Sequence, residues 1–240
     1  MELELSIIFP ALNEAQNLHR YSSEVFPVLD GLGVPYEVLI VDDGSSDDTV
    51  TVAQSLGARV RVVSHERNLG LGAALRTGFR HARGRLLITM DSDLTFAPTL
   101  IPELLERYRR GDVDTVLGSP KLAGYGSEIP SYRIVISQLA TFVYSLLLQS
   151  HVTAVSPIFR LYQRADLEAL ELTAAGFDIN AEILFGLLRS GKRVVEIPAP
   201  LTARIHGASN LQYRREILRH CRLVMKMLTW RIASLAGSRR

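Results

Sequence analysis

Apolar positions in the first half of the chain fall in short runs rich in β-branched residues, separated by stretches with helical patterning. Leu5-Ser6-Ile7-Ile8-Phe9, Glu37-Val38-Leu39-Ile40-Val41, Val60-Arg61-Val62-Val63 and Leu86-Leu87-Ile88-Thr89-Met90 predict strands buried on both faces. Residues 113–118 predict a fifth. The intervening helices have legible ends. Asn13 followed by Gln16 predicts a capping box, Asp47 predicts a second cap, and Gly57, Gly84 and Gly111 stand where helices close on a glycine. Strands alternating with helices predict an α/β fold with a mostly parallel central sheet, flanking helices and right-handed crossovers.

The second half is less regular. A Gly-rich loop over 118–130 leads to a predicted helix over 131–149, a strand over 158–162, a helix over 180–190 ending at Gly191, and a strand over 194–198. Near the C-terminus, Leu218, Cys221, Met225, Leu228, Ile232 and Leu235 follow steps of three and four beside Arg215, Arg219, Arg222 and Lys226. Such a basic amphipathic helix can lie on an anionic membrane surface, pack on the rest of the chain, or zip to a second copy as a homodimer. The expected organisation is one domain over 1–211, with halves at 1–118 and 119–211, and a helix over 212–240.

Composition narrows the classes. At 240 residues and 47% apolar, the chain can bury a sizeable core. A net charge of +2 is too small for the concentrated basic face that nucleic acid requires. The single cysteine, Cys221, excludes a disulfide framework and a cysteine-based zinc site. The start Met1-Glu2-Leu3-Glu4 lacks the features of a secretory signal, and no apolar stretch reaches membrane-spanning length. The expected location is cytoplasmic.

In open α/β sheets ligands collect at the carboxyl ends of the strands. The polar clusters fall there: Pro10-Ala11-Leu12-Asn13-Glu14, Asp42-Asp43-Gly44-Ser45 and Asp91-Ser92-Asp93. In an extended segment the carboxylates of Asp91 and Asp93 point the same way, toward a shared cation. Mg²⁺ or Mn²⁺ suits that pair, because these hard ions are held by one or two carboxylates plus substrate phosphates. Asn68-Leu69-Gly70-Leu71-Gly72 opens a helix but lacks the third glycine of a dinucleotide fingerprint. Its glycines either expose a helix N-terminus to a diphosphate or permit tight packing.

Four segments together resemble a known family. Phe9-Pro10-Ala11-Leu12-Asn13-Glu14, Val41 through Thr49, Asn68 through Gly72 and Met90 through Leu94 occur in the order and spacing of family-2 inverting glycosyltransferases of GT-A fold. Gly118-Ser119, Phe159-Arg160, Phe177 to Leu184 and Arg204 to Ser209 resemble the dolichol-phosphate mannose synthase branch, which moves a sugar from a nucleotide donor to a polyprenyl phosphate. The resemblance implies that Pro10, Leu12, Glu14 and Asp42 line a nucleotide pocket, and that Asp91, Ser92 and Asp93 face the metal and the donor diphosphate. It implies that Arg133, Arg204, His206 and Lys121 position the acceptor phosphate, with peripheral membrane contact through the C-terminal helix. Residues 1–118 would then be the donor half and 119–211 the acceptor half.

The chain departs from that branch at Pro120, Ala154, Pro157, Ile158 and Asn210, all on the presumed acceptor side. A phosphate dianion can attack without a protein base, whereas a soluble or protein hydroxyl would need one, for which Asp178 and Glu182 are the candidates. An inactive sugar-nucleotide binding or scaffold protein is the alternative outside catalysis, and the Asp91/Asp93 pair argues against it.

Overall fold

The structure, a computed structural model, describes residues 3–124, 131–207 and 213–237, with the side chains of some helical residues, Arg133 and Arg215 among them, outside the description. Seven strands, β1 (Leu5–Ala11), β2 (Tyr36–Asp42), β3 (Val60–Ser64), β4 (Leu86–Thr89), β5 (Thr115–Ser119), β6 (Arg160–Gln163) and β7 (Val194–Pro198), form one sheet. Their order is β3-β2-β1-β4-β6-β5-β7. β6 alone runs against its neighbours, pairing antiparallel with β4 and β5, while the other pairings are parallel. The mostly parallel sheet is therefore as expected. Because β6 and β7 complete a sheet begun by β1 to β5, the segments on either side of residue 118 share one framework.

Strand alternation distributes the core. Leu5, Ile7 and Phe9 of β1 face one layer, with Tyr21, Leu29, Ile101 and Leu104, while Ile8 faces the other, with Leu75, Phe79, Tyr162 and Ile183. β1, β2 and β4 are buried on both faces, as their apolar runs predict. β3 differs: it is an edge strand and only partly buried, because no strand covers its outer side.

Two local expectations change. Asn13 does not form a capping box. It adopts φ 57, and its Oδ1 accepts from Ser46 N at 2.8 Å, tying the β1 loop to the β2 loop. Asp47 does serve a helix start, accepting from Thr49 N at 3.0 Å at the head of the Thr49–Ser55 helix. Gly57 and Gly111 close helices with φ of +102 and +79, but Gly84 has another reason: a Cβ there would sit 2.5 Å from the Leu5 carbonyl carbon and Ser6 nitrogen.

The C-terminal helix, Tyr213–Gly237, packs on the domain through a face other than the apolar stripe. Leu223 and Met227 are 5% and 1% exposed against Tyr144, Val152 and Leu184, whereas Leu218 and Met225 are 60% and 59% exposed. Polar partners select the inward face. His220 Nδ1 meets Tyr144 Oη at 2.7 Å, Glu216 accepts from Phe177 N at 2.9 Å, and Lys226 pairs with Glu182 at 2.8 Å. The Ser131–Leu148 helix next to it also presents an apolar outer face, with Val135, Leu139, Phe142 and Leu146 exposed. Among the described residues, no helix is long and apolar enough to cross a membrane.

Candidate active site

The carboxyl ends of β1, β2 and β4 meet at one rim, and side chains just beyond them organise each other. Asp43, one residue past β2, accepts from Leu69 N at 2.9 Å and Gly70 N at 2.8 Å. Its Oδ1 also lies 2.7 Å from His65 Nδ1, and His65 Nε2 lies 2.9 Å from Thr77 Oγ1. Asp43 thus clamps the loop that begins the Leu71–His81 helix. Gly70 has φ +98, and a Cβ on Gly70 or Gly72 would collide with the carbonyls of Ala175 or Ala174. Gly72 N donates to Ala175 O at 3.0 Å. Of the two roles open to these glycines, close packing is the one observed.

Beyond β4 the chain turns at once. Leu94 N donates to Asp91 O at 3.2 Å and Leu94 takes φ 58, so Asp91 to Leu94 form a tight turn rather than the extended segment expected. The Asp91 carboxyl remains close enough to Asp93 to feel its charge. Asp93 Oδ2 accepts from Arg204 Nε at 2.7 Å, its Oδ1 accepts from Thr95 N at 3.0 Å, and Arg204 Nη1 lies 3.4 Å from Glu14 Oε1. Glu14 also accepts from Asn17 Nδ2 at 2.5 Å.

Electrostatics mark Asp91. Burial, reinforced by the neighbouring Asp93 charge, pushes its carboxyl up to about 8, despite the opposing pull of Arg204. Burial likewise raises Glu14, with Asn17 and Arg204 holding it back, and raises the phenol of fully buried Tyr21 well above its ordinary value. Uncompensated negative potential of this kind is what a bound divalent cation relieves. Among the described residues, no group of three or more His, Cys, Asp or Glu side chains is placed to hold a metal ion. Two carboxylates nonetheless fit the habit of Mg²⁺ and Mn²⁺, which complete their shell with substrate phosphate and water.

A cleft of about 450 Å³ opens over this turn. Pro10, Leu12, Glu14, Asp91, Ser92 and Arg204 line it, whereas Asp93 lies behind Arg204, outside the lining. Asp42 is buried, accepts from Ser45 N at 3.1 Å, and does not line the cleft, whereas Asp43 does. Lys121 and His206 are exposed and outside the lining, though the His206 carbonyl accepts from Asn17 Nδ2 at 3.4 Å. The Arg133 side chain, with Asn210, lies outside what is described. Sequence reasoning missed Asp43, Gly176, Phe177, Glu216 and Arg219 as cleft residues. For Glu216 and Arg219 no local signal exists, since their helix joins the site only through tertiary packing.

The departures on the acceptor side also find places. Ala154 and Ile158 are buried in the core, and Pro120 begins a short helix, Pro120–Ala123. Arg160, fully buried, holds that region by donating to the carbonyls of Pro157, Asn180, Ala154 and Val155 at 2.6 to 2.9 Å. Asp178 and Glu182 are engaged structurally. Asp178 accepts from Gly176 N at 3.0 Å, and Glu182 accepts from Thr173 N, Thr173 Oγ1, Ala174 N and Lys226 Nζ, each at 2.8 Å.

Comparison with known proteins identifies the family and the fold. The chain is 35% identical to a dolichol-phosphate mannosyltransferase of Pyrococcus furiosus over 93% of its own length and 64% of that protein's. It is 38% identical to an undecaprenyl-phosphate 4-deoxy-4-formamido-L-arabinose transferase of Edwardsiella ictaluri over 45% of its length and 34% of that protein's. The chain therefore spans less than two thirds of these relatives. Glucosyl-3-phosphoglycerate synthase from Mycobacterium tuberculosis, solved with Mn²⁺, uridine diphosphate and glucosyl-3-phosphoglycerate, has the same fold at 23% identity. The TM-score is 0.71, with 95% of this chain and 80% of that one covered. Residues 6–171 match the profile of glycosyl transferase family 2, and with most of its length so matched the chain belongs to that family.

Proposed function

We propose that the protein transfers a hexose, mannose or glucose, from a nucleotide sugar to a polyprenyl phosphate, with inversion and with Mg²⁺ or Mn²⁺. The observation that carries this is the Asp91–Asp93 turn opening into a cleft shared with Glu14, Asp43 and Arg204. Pro10, Leu12 and Glu14 offer a wall for the nucleoside, with Asp42 behind them. Asp91 and Asp93 would hold the divalent ion, which when bound supplies charge stabilisation to the departing nucleoside diphosphate. Arg204 aims the Asp93 carboxylate by donating to Oδ2 at 2.7 Å. Ser92 is fixed between them by its carbonyl, which accepts from Tyr21 Oη at 3.3 Å.

A phosphate acceptor fits a site whose second-half carboxylates are already engaged. Glu182 is surrounded by donors, so it is poorly suited to take a proton from a hydroxyl. A phosphate dianion attacks unaided and needs cations for orientation, a role assigned here to Arg133, Arg204, His206 and Lys121. The exposed apolar faces of the Ser131–Leu148 and Tyr213–Gly237 helices support peripheral contact with a cytoplasmic membrane face. The two relatives named for dolichol phosphate and undecaprenyl phosphate support the same acceptor class.

The test is direct. Protein incubated with labelled GDP-mannose or UDP-glucose, Mn²⁺ and polyprenyl phosphate is expected to carry label into the organic phase, and EDTA to stop it. Label confined to water-soluble product overturns the lipid acceptor.

A further inference from the structure

The C-terminal helix supplies part of the cleft wall. Glu216 and Arg219 line the cleft together with Asp91, Ser92, Gly70 and Phe177. Glu216 is fully engaged there: Oε2 accepts from Phe177 N at 2.9 Å and Oε1 pairs with Arg219 Nη1 at 2.5 Å. Arg219 is only partly engaged. Among the described residues Glu216 is its hydrogen-bond partner, and its Nη2 points toward Gly70, 3.8 Å from where a Cβ on that glycine would sit. Nη1 occupies the space a Cβ on Gly176 would need, so Gly176 makes room for the guanidinium.

The charge balance of the cleft shows what this cation lacks. Glu14, Asp43, Asp91 and Glu216 line it, against Arg204 and Arg219 as the lining cations. Arg204 reaches toward Asp93 and Glu14 on the other side. The N–H groups of Leu69, Gly70 and Gly72, at the head of the Leu71–His81 helix, are taken by Asp43 and Ala175. That turn therefore leaves little of the anion site that a helix N-terminus usually offers. A guanidinium with one edge anchored and the other facing the cleft is suited to a phosphoryl oxygen.

We propose that Arg219 is a binding residue for the diphosphate of a nucleotide ligand in this cleft, so that the C-terminal helix is a working part of the donor site. The proposal rests on the donor reading given above. The helix is held for that task by His220 on Tyr144 and by Lys226 on Glu182. Such anchoring places the guanidinium before ligand arrives.

The experiment uses the full chain with Mn²⁺ and compares binding of UDP and GDP with that of uridine and guanosine. Arg219→Met is expected to weaken the diphosphate that binds wild type by about tenfold or more, as loss of a charge-assisted pair does. Nucleoside affinity should stay as in wild type, while the ligand-free melting temperature should fall somewhat, because Glu216 loses its partner. Arg219→Lys, which keeps the charge and loses the fork, should lose several-fold and covers the case in which Arg219→Met does not fold. Unchanged diphosphate affinity in either folded variant, or equal losses for diphosphate and nucleoside, overturns the role of Arg219. A wild-type protein that binds neither diphosphate overturns the donor reading itself.

Discussion

Asp91→Asn separates what the site needs for metal from what the fold prefers. The Asp91 carboxyl is displaced from 3.8 to about 8, chiefly by burial and then by Asp93. A carboxyl raised in the folded state keeps its proton where the unfolded chain has lost it. Stability therefore falls as pH rises from about 4 to about 8, and the full penalty applies above that window. Roughly four units at about 1.36 kcal/mol each set a ceiling near 6 kcal/mol. Water in the open cleft lowers the effective figure to about 2 kcal/mol, since buried charges in proteins relax toward a higher dielectric. Asparagine mimics the neutral carboxyl at every pH. In EDTA the variant should match wild type at about pH 3.5, below the unfolded value, and exceed it at pH 8.5 by about 4–8 °C in melting temperature, on the scaling for domains of this size. Added Mn²⁺ should raise the wild-type melting temperature at pH 8.5 and leave the variant unmoved, because only a ligand of the folded state stabilises it. A variant no more stable than wild type at pH 8.5 refutes the assigned burden on Asp91.

Two further outcomes test the walls of the cleft. Gly72→Ala drives a Cβ into the Ala174 carbonyl, with Ala175 C at 2.8 Å, so urea unfolding should show a loss of about 1–3 kcal/mol, as overpacking does; an unchanged midpoint removes the close-packing account. Burial alone pushes Glu182 up, but Lys226 and the N–H groups of Ala174 and Thr173 outweigh it and hold the carboxyl below its usual value. Its contribution is therefore present above about pH 4.5 and lost as pH falls through the folded value. Glu182→Gln should cost about 1–3 kcal/mol at pH 7, mostly through the backbone donors because Lys226 is more than half exposed, and the gap to wild type should narrow in acid. A gap that is constant with pH contradicts that assignment.

The framework was legible because strands buried on both faces and separated by capped helices leave few alternatives. All seven strands fall within about two residues of their predicted spans, and the acidic clusters lie at the carboxyl ends where an open sheet collects ligands. Pro10, Leu12, Glu14, Asp91 and Ser92 were legible for the same reason: each lies at or within three residues of the carboxyl end of a strand, so its place is set by that strand.

Features that depend on distant partners were not legible. Asn13 carries the pattern of a capping box, yet Ser45 and Ser46, more than 30 residues away, draw it into a loop-to-loop clamp. The C-terminal helix shows one apolar stripe in sequence, while tertiary contacts bury Leu223 and Met227 and leave Leu218, Cys221, Met225 and Leu228 of that stripe outside. An amphipathic pattern reports which residues can be buried; polar pairs such as Tyr144–His220 and Glu182–Lys226 decide which are. The sequence by itself determined the sheet, the acidic rim and the kinship to family-2 glycosyltransferases. Only the tertiary structure brought Arg204 onto Asp93 and Glu14 and set Arg219 into the cleft, because both arginines reach the site across separations that no local pattern encodes.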